Sequence, residues 1–248
     1  MSENDLLTSR LPFIRTLPAH MELSKHDLCV TELLVESERE IEIYYAPFDY
    51  LNPTARIVII GITPGWEQMR LSYEVFRAVL ADGTSVDQAQ QRAKVAASFA
   101  GPMRTNLTNM LDAIGVAQAL GLESTRMLFS THHALAHTTS ALRYPVFVNG
   151  KNYTGHSPSP FRRAILEQAW RSGLAEELQA MQKTPLIVPL GDTVTKMVET
   201  LIEDGVVPDV QCLLSFPHPS GGNGHRVRHF GERKAMLAAT VRGWAEAS

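Results

Sequence analysis

The stretch from Arg56 to Glu67, RIVIIGITPGWE, sets the reading of the fold. Ile57, Val58, Ile59 and Ile60 form an uninterrupted apolar run, which Gly61, Pro64 and Gly65 then break. A short β-branched run closed by glycine and proline has the pattern of a parallel strand buried on both faces and running into a loop. In open α/β sheets, ligands bind beyond the carboxyl ends of the strands. The loop from Gly61 to Glu67 is therefore expected to floor a site. An ordinary strand-to-helix turn is the competing reading, because GxxPG alone is a weak signature.

Working outward, three further apolar runs read as strands: Met127 to Thr131, Thr184 to Leu190 and Gln211 to Phe216. Helical spacing fills the gaps between them, with Leu107, Met110, Leu111 and Ile114 making one apolar stripe that Gly115 stops. Ser159 and Pro160 suit the cap and first position of another helix, and a closing helix is expected from about Glu232 to Trp244. Four buried strands separated by helices predict a three-layer α/β/α sandwich around a four-stranded parallel sheet. The chain shows no internal repeat and no dividing linker. It is expected to form one domain over 1–248, with a helical extension at 1–55 and a helical insertion at 68–98.

Composition excludes several classes. The 248 residues carry a hydrophobic fraction of 44% and a charged fraction of 20%, which suits a globular core. No apolar run approaches the length of a membrane span. The opening residues MSENDLLTSR lack the basic and apolar regions of a signal peptide, so a cytoplasmic location is expected. Two cysteines, Cys29 and Cys212, can build neither a disulfide framework nor a four-cysteine cluster site. His132, His133 and His137 invite a zinc reading, but no nearby carboxylate or cysteine completes a convincing set. The net charge of −3 argues against a generally basic coat. It leaves a local patch: from His225 to Lys234, Arg226, Arg228, Arg233 and Lys234 stand against Glu232 alone, following the glycine-rich turn PHPSGGNGHR.

The loop after the first strand and the loop after the last one are expected to meet at one sheet edge, and here the chain resembles a known family. Gly61 to Gly65, GITPG, resembles motif one of the uracil-DNA glycosylase superfamily, especially the GINPG of its mismatch-specific branch. His218-Pro219-Ser220 resembles motif two, HPS. Ser98 to Gly101 with the stripe ending at Gly115 resembles a segment of the iron–sulfur branch, as does Leu186 to Gly191. The likeness is spread over roughly residues 55–240.

That resemblance implies a glycosylase fold and assigns roles. His218 would hydrogen-bond a carbonyl oxygen of the departing base, where negative charge develops; a histidine merely satisfying loop backbone is the alternative. Phe99 would stack on the extruded base, or else pack plainly in the core. Several branches place Asp or Asn where this chain has Thr63. A threonine hydroxyl can orient water but is a poor base, so Glu67, at the start of the next helix, is the substitute candidate, with helix capping as its alternative. Ile62, Pro64, Gly65, Asn149 and the second-strand residues Thr131 or His132 would line the base pocket, with Asn152 and Tyr153 beside Asn149. The absence of Asp or Asn at 63 puts uracil in question and opens the pocket to a modified pyrimidine. Ser220, Gly221, Gly222, Asn223, His225 and Arg226 would meet DNA, with Ser159 and Arg162 adding phosphate contacts. No cofactor is implied: the four-cysteine cluster is excluded, and a monomer with DNA as its partner is expected. A glycosylase for a damaged, deaminated or modified base, in repair or in defence against phage, is the leading expectation. A non-catalytic nucleic-acid-binding relative and an unrelated nucleoside enzyme stand beside it.

Overall fold

The computed structural model describes residues 3–18, 22–206 and 211–247. In chain order the elements are α1 (Glu3–Thr16), α2 (Lys25–Leu28), β1 (Leu34–Glu38), β2 (Ile41–Tyr44), β3 (Ile57–Gly61), α3 (Trp66–Ala81), α4 (Val86–Ala97), α5 (Pro102–Ala113) and α6 (Val116–Ala119). There follow β4 (Ala136–Ser140), β5 (Val146–Val148), β6 (Lys151–Asn152), α7 (Ala164–Gln179), β7 (Leu186–Pro189), α8 (Asp192–Glu203) and α9 (Arg226–Ala247). The chain divides into two compact units. The first comprises Met1–Tyr50, Thr63–Ala97 and Leu142–Ala169; the second comprises Leu51–Ile62, Ser98–Ala141 and Trp170–Ser248.

The second unit is the α/β sandwich. Its sheet is fully parallel, in the order β4-β3-β7. All of β3 is buried, as a strand covered on both faces must be. Ile57, Ile59, Ala136, Leu186 and Val188 face one cluster with Leu107 and Leu111 of α5, Val116 of α6, and Leu237, Val241 and Trp244 of α9. The opposite face carries Val58, Ile60, Ile187 and His137. It is met by Glu177 of α7, which bonds His137, and by α8, which buries Val194, Met197, Val198 and Leu201. Burying a Leu, Val or Ile side chain is worth about 1.5–3 kcal/mol, so these two faces dominate the stability of the layer.

Two strand expectations and one helix boundary are corrected. Met127 to Thr131 is not a strand: Thr125–Phe129 winds as a 3-10 helix, because Asp112 accepts the Thr125 amide at 2.7 Å and the Ser124 hydroxyl at 2.7 Å. The second strand is instead Ala136–Ser140, whose polar side chains hid it from a hydropathy reading. Gln211 to Phe216 contributes only one parallel bridge, between Ile187 and Cys212, and Ser215 at φ 61° ends it. Among the described residues the sheet thus has three strands and a single bridge at its edge. Helix α9 begins at Arg226, several residues before the expected Glu232.

The first unit holds a four-stranded antiparallel sheet, order β1-β2-β5-β6, which the sequence reading missed. Two of its strands lie in the segment expected to be a helical extension. Helices α3 and α4 pack as a pair over a core that includes Tyr45, Tyr73, Phe76 and Phe147. The Tyr73 hydroxyl donates to the Tyr45 carbonyl at 2.8 Å, and burial drives the phenol pKa of both residues well above the ordinary value. Ser159 and Pro160 do not open a helix. They form a turn, Arg162 amide to Ser159 carbonyl at 3.2 Å, and α7 starts at Ala164.

Candidate functional site

In the second unit the carboxyl edge of the sheet is built from three strand ends. Gly61 closes β3 in register with Ser140 of β4, and the Ala141 amide donates to the Gly61 carbonyl at 2.8 Å. A side chain at Gly61 would place its Cβ 3.1 Å from Cε1 of Phe99 and 3.5 Å from Oγ of Ser140. Bare backbone is needed there because an aromatic ring and a hydroxyl converge on it.

The Phe99 ring is buried and meets Phe129 edge to face, with centroids 6.4 Å apart. Its backbone sits at φ 51°, a left-handed conformation uncommon for bulky residues. The preceding residue is fixed from two sides. The Ser98 hydroxyl lies 2.6 Å from that of Thr138 on β4, and the Ser98 carbonyl accepts from Arg104 Nε at 3.0 Å and Nη2 at 2.6 Å. The guanidinium stands 4.9 Å over the Phe129 ring, and burial lowers its pKa from the ordinary value.

The loop after the edge bridge carries His218. Gly191, at φ 89° beyond β7, donates its amide to the Phe216 carbonyl at 2.9 Å; a Cβ there would lie 3.2 Å from that of His218. His218 is half-buried between buried Pro217 and Pro219. Its Nδ1 accepts the Ser220 amide at 3.3 Å, which in the neutral ring leaves the proton on Nε2. The loop is tied down on all sides. Asn223 Nδ2 donates to the His218 carbonyl at 3.1 Å, Asn106 Nδ2 to the Pro219 carbonyl at 2.9 Å, and Arg226 Nη1 to the Ser220 carbonyl at 2.6 Å and the Pro219 carbonyl at 3.3 Å. Arg226, expected at DNA, thus turns back onto its own loop. Gly221, Gly222 and His225 are exposed, and the His225 ring stacks on His229 at 5.7 Å.

Two pocket candidates stand elsewhere. Thr131 and His132 precede β4 in a turn, with Oγ1 and Nδ1 2.9 Å apart. Because β4 runs parallel to β3, they lie at the amino end of the strand, opposite to Gly61. The carboxyl-edge position belongs to Ser140. Ile62, half-buried, continues from Gly61. His137 is engaged in the sheet interior by Glu177 at 2.7 Å, with its Nδ1 facing the Asn52 amide at 3.4 Å. Among the described residues no group of three or more His, Cys, Asp or Glu has metal-binding geometry.

The first unit holds the remaining candidates. The Thr63 hydroxyl donates to the Tyr144 carbonyl at 3.0 Å and accepts the Val146 amide at 3.1 Å, so it pins the entry to β5. Pro64 is buried. The start of α3 is satisfied locally: the Gly65 amide reaches Gln68 Oε1 at 3.0 Å and the Trp66 amide reaches Asn152 Oδ1 at 3.0 Å. The Glu67 side chain is 73% exposed and pairs with Arg70 at 2.9 Å. Asn149, at φ 50°, and Gly150, at φ 68°, form the tight turn between β5 and β6, the pairing that such hairpins favour. Asn149 is exposed at that tip, and its amide donates to the Glu40 carbonyl at 2.9 Å. The hydroxyl of buried Tyr153 donates to the Pro158 carbonyl. Ser159 is half-buried and Arg162 is exposed, whereas Arg163 is held by Glu38 at 2.7 Å and Glu40 at 2.8 Å.

Sequence reasoning missed Ser140, Arg104 and Asn106. Ser140 was legible only once Ala136–Ser140 is read as a strand; the other two carry no motif.

Known proteins resemble this chain over most of its length. The family model described as the uracil DNA glycosylase superfamily matches residues 48–242, which include both the GITPG loop and the His218 loop. The uncharacterised protein YoxB of Bacillus subtilis (strain 168) is 39% identical over 224 residues, covering 90% of this chain and 88% of that protein. No described helix is long and apolar enough to cross a membrane. With a matching family model over most of its length, this chain belongs to the uracil DNA glycosylase superfamily.

Proposed function

We infer that the protein is a DNA N-glycosylase that drives base departure chiefly by stabilising the leaving group. Membership of the superfamily supports a glycosylase-type hydrolase in general. The observation that carries the finer reading is the His218 loop. Its Nδ1 takes the Ser220 amide, which in the neutral ring places the proton on Nε2, and four side-chain bonds brace the loop. A fixed donor aimed where charge develops needs no reorganisation during the reaction. Phe99 supplies a stacking face beside the bare backbone of Gly61, and Ser140 stands for the base-edge reader. Its hydroxyl both donates and accepts, and its short side chain leaves room for a substituent, which favours a modified or deaminated pyrimidine.

Water is left to attack a sugar already carrying positive charge. The Thr63 hydroxyl is engaged by backbone on both sides, and the Glu67 carboxylate is exposed and paired with Arg70. Neither is set up as a strong base. The same facts favour a second reading, a catalytically weak relative that binds DNA. For either reading, the exposed backbone of Gly221 and Gly222, with Ser220, Asn223, His225, Arg228 and Lys234, makes the DNA face of the second unit. In the first unit, taken by itself, exposed Arg162 is proposed as a phosphate contact.

The test is a panel of duplex and single-stranded DNAs carrying uracil, mismatches and modified pyrimidines, scored for alkali-labile breaks. Abasic sites should appear on at least one member, and His218→Ala should slow their formation by about 10²–10³. A blank panel with folded, DNA-binding protein selects the second reading.

A further inference from the structure

We propose that α5 is the positioning element of this site, with Arg104 setting the pose of Phe99 and Asn106 setting that of His218. The inference rests on the reading of Phe99 and His218 given above. Each side chain acts on a particular peptide plane. The Ser98 carbonyl belongs to the peptide that joins Ser98 to Phe99, and the tilt of that plane fixes φ of Phe99. Arg104 places two N–H groups on this one oxygen, at 3.0 and 2.6 Å. Two donors from a rigid fork leave the plane little freedom to rotate. Phe99 is thereby held at φ 51°, where its ring lies against Gly61.

Asn106 acts on the peptide between Pro219 and Ser220. Its amide donates to the Pro219 carbonyl at 2.9 Å. The N–H at the other end of the same plane is the Ser220 amide that meets His218 Nδ1 at 3.3 Å. Turning this plane would withdraw the amide and release the tautomer of the imidazole. Arg226 also reaches the Pro219 carbonyl, at 3.3 Å, but from a different helix. Residues two apart on a helix point to different faces, so one element reaches both planes at once. Phe99 and His218 are then referred to a common rigid body, and their separation does not depend on the loops that carry them.

Two kinds of measurement test this on the full-length protein. The first is single-turnover base excision with Arg104→Met, Arg104→Lys and Asn106→Asp, each also made in Phe99→Ala and His218→Ala backgrounds. Arg104→Met should slow excision about 10- to 100-fold, the scale of a misplacement near 1 Å, and Arg104→Lys should restore part of the loss. The Arg104→Met effect should shrink below about threefold in Phe99→Ala, and that of Asn106→Asp below about threefold in His218→Ala, as shared pathways do in such cycles. Effects that persist undiminished in those backgrounds overturn the proposal, since general destabilisation would act on every background alike. The second measurement needs no activity. Imidazole nitrogen NMR should show the Nε2–H tautomer in the parent and a mixture in Asn106→Asp, and a crystal structure of Arg104→Met should show the Phe99 ring away from Gly61. An unchanged tautomer and an unmoved ring refute the proposal. A parent that excises nothing removes the glycosylase reading instead, and these two structural readouts then decide the role of α5.

Discussion

Replacing Gly61 with alanine tests how tightly the stacking face is built. The new methyl would sit 3.1 Å from Phe99 Cε1 and 3.5 Å from Ser140 Oγ. Carbon atoms prefer about 3.5–4.0 Å, so the ring must retreat by about half an ångström. It has little room to do so. Phe129 meets it edge-on, and the Ser98 peptide before it is held by Thr138 and Arg104. Overpacking of this kind costs about 1–3 kcal/mol. Replacing a strand glycine by alanine returns roughly 0.5–1 kcal/mol through the unfolded chain, leaving a net loss of about 0–2.5 kcal/mol. Function should suffer more than stability. Base–aromatic stacking is worth about 1–3 kcal/mol, and a displaced ring should forfeit much of it, slowing excision about 5- to 100-fold. Urea unfolding and single-turnover excision measure the two effects. Adding Phe99→Leu should recover stability but not rate. A Gly61→Ala protein with unchanged stability and rate would show that the ring does not press on Gly61, and the proposed stacking face would be lost.

Other outcomes follow from the same structure. Glu177→Leu removes the buried hydrogen-bond partner of His137 Nε2, and leaving a buried polar group unsatisfied costs about 1–3 kcal/mol; the melting temperature should fall by roughly 2–12 °C, whereas no change would mean the 2.7 Å contact carries no stability. Thr63→Val removes a donor to the Tyr144 carbonyl and an acceptor for the Val146 amide, so denaturant unfolding should show a loss of about 1–3 kcal/mol, with Thr63→Ser close to the parent. Glu67→Gln should leave the excision rate within about threefold, since its partner is Arg70; a loss near the 10²–10⁴-fold typical of general acid–base groups would restore Glu67 as the base.

The sequence made the hydrophobic elements plain and concealed the polar ones. Ile57 to Ile60 announced β3 because burial on both faces demands an unbroken apolar run. Ala136–Ser140 gave no such signal. Its polar groups are satisfied inside the fold by Glu177, Ser98 and Asn52, partners distant in the chain. The apolar pair Leu128 and Phe129 looked like a strand but buries itself from a 3-10 turn capped by Ser124. Asn149 and Gly150 carried the standard hairpin pairing, yet the strands beside them are so short that the turn read as pocket lining. The motif residues Gly61 and His218 were visible as types. What braces the peptides beside Phe99 and His218 was not, because Arg104 and Asn106 bond to the Ser98 and Pro219 carbonyls, and such bonds leave no trace in residue spacing.

The polar character of β4 carries one last consequence. Side chains along a strand alternate with period two, so a slip by one residue exchanges its faces. An oily strand can slide among near-equivalent registers, since one aliphatic contact resembles the next. This strand cannot: a slip would thrust the His137 imidazole into the aliphatic layer under α5 and α9 and part it from its carboxylate, while Asn52 would lose its hold on the Ala134 and Ala136 carbonyls. Matched pairs deep in the protein therefore act as an indexing notch, and the alignment of Ser140 with Gly61 at the far rim is decided several residues away from it.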